Sequence, residues 1–125
     1  MHLSAEYLPY ARTGGLAEAV AGLASQHAAT GVRTSVIMPF YRGAWDQPPK
    51  TTSAGAWFTV GVGPRAEPAR VHRSAARAGK VRMLFIEHPD YFDRAGIYGE
   101  PGGDYADNPR RFAFLCAAAL HVLAD

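Results

Sequence analysis

The sequence predicts an α/β fold, a partly parallel sheet that also holds an antiparallel hairpin. Three observations carry this. A short strand, a glycine turn, a helix and a second strand follow one another in about forty residues, and such a βαβ unit is almost always parallel and right-handed. Val81 to Glu87 holds Val81, Met83, Leu84, Phe85 and Ile86, a near-continuous apolar run suited to a strand covered on both faces. Between these, Ala56 to Val62 and Ala69 to Ala76 carry β-forming residues on either side of a turn at Gly63 to Pro68, which reads as a hairpin.

The elements follow in order. Met1 to Ala5 predicts a short strand over 2–5. The helix over Gly15 to Ala29 rests on Leu16, Val20, Leu23 and Ala24, which recur at helical spacing. Glu18 suits the positive end of the helix dipole, and Gly31 is a stop signal. Val32 to Phe40 predicts a strand over 33–39, rich in β-formers and closed by Pro39. Tyr41 to Gly55, with Pro48-Pro49 and Gly55, predicts a mobile loop. Gly79 turns the chain into the strand over 81–87. His88 to Asn108 is a loop long enough to be functional or disordered, and its aromatics Tyr91, Phe92, Tyr98 and Tyr105 favour function. Asp107-Asn108-Pro109 starts a helix that runs to about Leu123, with Phe112, Leu115, Cys116, Ala119 and Leu123 as its expected buried stripe.

Composition narrows the class. The 125 residues suit one domain, and 48% hydrophobic with 19% charged residues fits a globular core. A net charge of +2 gives no ground for a nucleic-acid or anionic-membrane partner. The single cysteine, Cys116, excludes an intrachain disulfide and is expected to pack as a small hydrophobe. No apolar run approaches the ~20 residues of a membrane span, and no basic region precedes an apolar stretch at the N-terminus. The expectation is a cytoplasmic protein.

Arg12-Thr13-Gly14-Gly15-Leu16 is the leading candidate site. First-turn N–H groups have no partner inside the helix, and the dipole adds positive charge there. Gly14 and Gly15 have no Cβ to keep a ligand from the backbone, and Arg12 offers a fork for phosphate or carboxylate. The spacing is neither that of a Walker loop nor the dinucleotide fingerprint, and plain turn chemistry also accounts for the glycine pair. His88 to Arg94 follows a predicted parallel strand, where open α/β sheets place ligand groups, although a tight turn with a surface ion pair fits equally. No His or Cys stands at metal-ligand spacing from His88, and His2, His27, His72 and His121 are scattered. Tyr91, Phe92, Tyr98 and Tyr105 suit either sugar platforms or pins for the long loop. Glu6, Asp90, Asp93, Glu100 and Asp104 are possible acids and bases, and spacing selects no pair among them.

Taken together, these segments resemble bacterial glycogen synthases and plant starch synthases. Ser4-Ala5-Glu6, Pro9 and Arg12-Thr13-Gly14-Gly15-Leu16-Ala17-Glu18 are similar to the family's opening, which reads Ser-Ala-Glu and then Lys-Thr-Gly-Gly-Leu, a small residue and Asp. Val36-Ile37-Met38-Pro39 with Tyr41 resembles its second strand. Phe85-Ile86-Glu87-His88-Pro89, Tyr91 to Arg94, Gly96 to Gly99, Asp104-Tyr105, Asp107-Asn108 and Arg111-Phe112 resemble its long loop and following helix. The resemblance implies a Rossmann-like sheet, part of the N-terminal domain of a two-domain GT-B glycosyltransferase. It implies a retaining transfer of glucose from ADP-glucose to the non-reducing end of an α-1,4-glucan such as glycogen, with no metal and no cofactor. By position, Arg12 matches the motif lysine near the donor, Gly14 and Gly15 the glycines facing the phosphates, Tyr98 a cleft tyrosine, and Glu18 an acceptor-side Asp. Two positions depart from the pattern, Arg for Lys at 12 and Glu for Asp at 18. The family's later His-Asp-Trp segment and its second domain have no counterpart in residues 1–125, so the expectation is an incomplete catalytic domain that is inactive alone. A non-catalytic glucan-binding or interaction module, and another nucleotide-sugar transferase of the same architecture, are the alternatives.

Overall fold

The computed structural model describes residues 1–51, 53–74 and 80–124. Its elements are β1 (His2–Leu3), α1 (Gly15–Ala29), β2 (Ser35–Pro39), β3 (Ser53–Ala54), β4 (Phe58–Val62), β5 (Arg65–Arg73), β6 (Arg82–Glu87), β7 (Gly99–Glu100), β8 (Gly103–Asp104) and α2 (Asn108–Ala124). The main sheet runs β1-β2-β6-β5-β3, with β4 also paired to β5. β1, β2 and β6 are parallel, with His2 opposite Val36 and Val36 opposite Met83. β5 runs antiparallel to both β4 and β6. The mixed sheet and the hairpin match the predicted class. None of the described helices is long and apolar enough to cross a membrane.

Val36, Ile37 and Met38 of β2 and Phe85 and Ile86 of β6 are fully buried at the sheet centre. These apolar residues, most of them β-branched or aromatic, fill both faces of the central strands, as their run of apolar letters requires. Because β1, β2 and β6 are parallel, their carboxyl ends share one edge. The glycine turn, Phe40 to Arg42 and Glu87 to His88 therefore gather along that edge.

Several expectations are corrected. The hairpin turn is confined to Gly63-Pro64, with Gly63 at φ +59, and β5 already begins at Arg65. Pro68 is tolerated in that strand because only β4 borders it, while β6 pairs from Arg70 onward. The predicted residues Ala75 and Ala76 and the turn at Gly79 lie outside the described residues. The segment expected to be a mobile loop is packed in its first half. Tyr41 is fully buried, the Asp46 N–H donates to the Tyr10 carbonyl at 2.8 Å, and Trp45 meets Phe85 edge-on.

The buried faces only overlap the expected residues: Leu115 and Ala119 of α2 and Ala24 of α1 are buried, and the others are not. α1 buries Ala17, Ala24 and Ala28, leaving Leu16 47% and Leu23 51% exposed. α2 buries Arg111, Phe114, Leu115, Ala118 and Ala119, leaving Cys116 and Leu123 exposed, so the cysteine does not pack in the core. In each case the stripe is turned by about one residue, roughly 100°. The buried positions of α1 are all alanines, and α2 turns so that Arg111 enters the interior.

Candidate functional site

The glycine turn is built on Glu6. Ser4 holds the segment locally: its Oγ donates to the Glu6 carbonyl at 2.6 Å and accepts from the Glu6 N–H at 3.3 Å. The buried Glu6 carboxylate then lies beneath the turn. Its Oε1 accepts from the backbone N–H of Thr13 at 2.7 Å and of Gly14 at 3.4 Å. Its Oε2 accepts from the Thr13 hydroxyl at 3.0 Å and the Tyr98 hydroxyl at 2.5 Å. Burial acts to raise the Glu6 pKa, but the donors Tyr98, Thr13 and Gly14 outweigh it and hold the group below the ordinary glutamate value. Among the carboxylates left open by the sequence, Glu6 is thus an ionised anchor for the backbone.

Above the turn, Arg12, Thr13, Gly14, Gly15 and Glu18 line one open cavity of about 490 Å³. Four of the five sequence-predicted site residues therefore share it. Tyr98 is not among its lining residues and reaches the turn from behind, through Glu6. Arg12 and Glu18 form an ion pair across the mouth at 2.9 Å, with both side chains at least half exposed. Such a pair contributes little to stability and opens readily. The Gly14 N–H is directed to Glu6, whereas the N–H groups of Gly15, Leu16 and Ala17 open the helix with no acceptor recorded among the described residues. Neither glycine is needed by the chain itself. Gly14 is extended (φ −163), and a Cβ placed on Gly14 or on Gly15 would meet nothing within 4 Å.

The long loop after β6 is pinned from inside. Tyr91 and Phe92 are buried, which settles these two as pins rather than exposed platforms. His88 follows the sheet edge but spends both ring nitrogens internally. Its Nε2 lies 2.7 Å from Glu67 Oε2, and its Nδ1 lies 3.2 Å from the N–H groups of Asp90 and Tyr91. Two backbone donors on Nδ1 place the proton on Nε2, which donates to Glu67. Tyr91 also donates to Glu67, at 2.9 Å. Burial raises the Glu67 pKa, and the bonds from His88 and Tyr91 more than reverse this, so it too is depressed. Arg94 grips Asp107 through two 2.7 Å bonds, with its guanidinium 4.7 Å from the centre of the Tyr105 ring. Gly96 is required here by space, since a Cβ would lie 1.7 Å from the Gly99 carbonyl oxygen.

Three further residues organise the site region, and none of them is singled out as a candidate site residue by the sequence. Glu67 sits in a segment that reads as a turn. Glu87 closes β6 and gathers His72, Arg70 and Arg42. Arg111 is fully buried and donates to the carbonyls of Tyr91 and Ile97. Its signals in the sequence are a charge inside an apolar helical stripe and its place in the Arg111-Phe112 segment of the resemblance.

Known proteins are similar to this chain in sequence and fold. The starch synthase catalytic domain family matches residues 1–125. Glycogen synthase 2 of Geobacter sulfurreducens is 38% identical over 121 residues, which are 97% of this chain and 25% of that protein. The glycogen synthase of Paracoccus denitrificans is 35% identical over 127 residues, covering 100% of this chain and 26% of its own length. Among solved structures, the catalytic domain of starch synthase IV from Arabidopsis thaliana, bound to ADP and acarbose, superposes with a TM-score of 0.80 at 26% identity, over 98% of this chain and 24% of that one. The chain thus spans about a quarter of the length of the relatives it matches. Over that quarter it belongs to the starch synthase catalytic domain family.

Proposed function

We propose that these residues form the donor-side wall, within the N-terminal domain of a two-domain GT-B enzyme, of a retaining glucosyltransferase that uses ADP-glucose to extend an α-1,4-glucan. One observation carries the reading. Gly14 and Gly15 satisfy no conformational or packing need of this chain, yet they face an open cavity beside unpaired helix N–H groups and a guanidinium. A diphosphate approaching the backbone supplies the missing reason for them. The relatives named glycogen synthase and the ADP-bound starch synthase IV structure support the same ligand class. In this reading Arg12 contacts the diphosphate after leaving Glu18, Glu18 faces the acceptor side, and Tyr98 holds Glu6 in place. No metal or other cofactor takes part.

Titration of the isotopically labelled chain with ADP, read by amide chemical shifts, tests this. The amides of Gly15, Leu16 and Ala17 are expected to move saturably with ADP and to stay still with adenosine. Gly15→Val fills the cavity floor and is expected to abolish the response without unfolding the helix. Arg12→Ala removes one charge-assisted contact, ~1.5–3 kcal/mol, hence roughly tenfold or more in affinity at ~1.4 kcal/mol per decade. Arg12→Lys restores the family residue and is expected to match the parent. ADP that moves none of these amides, or that binds Gly15→Val as it binds the parent, rules the donor seat out.

Transfer is a separate matter. Catalysis by positioning and electrostatics needs both walls of a cleft. A polypeptide of residues 1–125 alone is expected to incorporate no labelled glucose from ADP-glucose into glycogen above background. Robust incorporation by the purified chain contradicts this.

A further inference from the structure

We propose that Arg33, Lys80 and Arg82 form a seat for a small, soluble phosphate monoester at the amino edge of the sheet, at the far end of the strands from the glycine turn. The inference rests on how charge is distributed over the fold and is independent of the donor reading above.

The carboxylates among the described residues all belong to segments gathered at the carboxyl edge of β1, β2 and β6. Glu6 and Glu18 hold and line the glycine turn, the Asp46 N–H bonds to Tyr10 just before that turn, and Glu67 reaches His88. Glu87 ends β6, and the remaining carboxylates lie in the loop between β6 and α2. Arginines there are neutralised on the spot: Arg12, Arg42, Arg65, Arg70 and Arg94 each meet a carboxylate at 2.7–3.9 Å.

The amino edge is different. β2 and β6 start there, with Ser35 opposite Arg82 and the Arg82 N–H donating to the Thr34 carbonyl at 3.0 Å. Arg33 and Lys80 each stand two residues ahead of that pair. Side chains alternate along extended chain, so Arg33, Lys80 and Arg82 share one face with Ser35. Burial follows the alternation: Thr34 is buried and Val81 half-buried, while Arg33, Lys80 and Arg82 are exposed. None of these three cations meets a carboxylate among the described residues. Neighbouring strands lie ~4.8 Å apart and alternate residues ~6.6 Å, so the three positions fit a footprint of about 5 by 7 Å. Like charges set side by side on adjacent strands oppose folding. An anion held between them turns that repulsion into attraction.

The footprint selects the anion. A phosphate monoester carries nearly two negative charges at neutral pH and three strong acceptor oxygens. Two guanidinium forks grip such oxygens in pairs, and the ammonium adds a point charge. The Ser35 hydroxyl, on the same face, offers one more donor. A carboxylate has a single charge and two oxygens, too few for three cations. An anionic membrane calls for clusters of about 4–8 basic residues, and nucleic acid for a longer basic stripe. The seat is also remote from the donor turn, by the length of the five-residue β2, or ~17 Å. α1 spans the same gap, with the glycine turn at its start and Arg33 shortly after its end. An occupied seat therefore ties the start of β2, which follows α1, to the start of β6.

Titration of the isotopically labelled chain with glycerol 2-phosphate at constant ionic strength, read by amide chemical shifts, tests the seat. Saturable movement is expected at Ser35, Val81 and Arg82. Arg33→Gln, Lys80→Gln or Arg82→Gln alone is expected to weaken binding roughly three- to tenfold, and the triple variant to abolish it. Arg110→Gln, a cation at the start of α2, is expected to leave it unchanged. The three side chains are exposed, and unchanged core shifts confirm that each variant is folded. Absence of a saturable response overturns the proposal, as does a triple variant that binds like the parent, or an equal response to chloride at the same ionic strength. Binding to phosphatidic acid vesicles or to an oligoglutamate peptide without a response to glycerol 2-phosphate assigns the surface to a membrane or a protein and also overturns it. Movement confined to Gly15, Leu16 and Ala17 places the phosphate in the donor seat alone, so failure of this proposal and failure of the donor reading are told apart.

Discussion

Replacement of Arg111 by alanine is expected to lower the stability of the chain by about 4 kcal/mol, out of the ~5–15 kcal/mol typical of a domain, and to release the loop between Tyr91 and Asp107. The Arg111 side chain is fully buried. Its Nε donates to the Tyr91 carbonyl at 2.7 Å, and one terminal nitrogen donates to the Ile97 carbonyl and to Asn108 Oδ1, each at 2.8 Å. Phe92, Phe112 and Tyr105 surround the guanidinium with ring centres at 5.5, 5.3 and 4.9 Å. Burial first, and the nearby Arg94 charge second, lower its pKa. Alanine removes the fork and leaves two carbonyls without donors, at about 1–3 kcal/mol each, together with a cavity of the kind that costs ~2–5 kcal/mol in large-to-small core changes. Relief from burying a cation opposes these losses, as does the second terminal nitrogen, which is buried without an acceptor. Arg111→Leu separates the contributions, because it fills the space and still orphans the carbonyls. Arg111→Lys keeps the charge but cannot span two carbonyls as a planar fork does. Urea unfolding with amide exchange over residues 91–107 measures both effects. A loss under ~1 kcal/mol with unchanged exchange shows that the loop does not depend on Arg111.

Glu6→Ala is expected to cost about 3 kcal/mol and to abolish the ADP response at Gly15. It removes the carboxylate that accepts from the Thr13 N–H and the Tyr98 hydroxyl, part-buried bonds to a charged group worth about 1.5–3 kcal/mol each, and it unfastens the glycine turn from the long loop. Glu6→Gln keeps the shape but turns one oxygen into a donor that faces other donors, so it is expected to fall between parent and Ala. The pH dependence follows from the sign of the shift. The folded-state pKa of Glu6 lies below the ordinary 4.5, so its contribution is complete above that pH and is lost as the pH falls through the folded value. Glu67 and Glu87 are depressed from the same 4.5. In Asp107, the Arg94 bonds depress the carboxyl below the ordinary 3.8. Stability of the parent is therefore expected to decline as the pH drops below 4.5, and the Glu6→Gln protein to decline with a shallower slope. Parallel slopes in parent and variant contradict the role given to this carboxylate.

The sequence by itself determined the order of the longer elements, though not the two-residue strands β3, β7 and β8 that lie in its expected loops, and it determined the parallel pairing of β1, β2 and β6, the hairpin between β4 and β5, and the glycine turn with Arg12 and Glu18 beside it. These were legible because they rest on local signals: apolar periodicity, turn residues, and the spacing of a motif within a few residues. Only the tertiary structure decided which faces α1 and α2 bury, since a helical stripe of alanines and a buried arginine outweigh the leucines that hydrophobicity favours. Only it joined Glu6 to Tyr98, 92 residues along the chain, and so made a carboxylate of no evident role the support of the glycine turn. The same holds for Glu67 with His88, 21 residues apart, and for Glu87 with His72, Arg70 and Arg42. A buried charge is tolerated only where its partners converge on it, and that convergence is set by strand register and helix rotation, which no stretch of residues encodes alone.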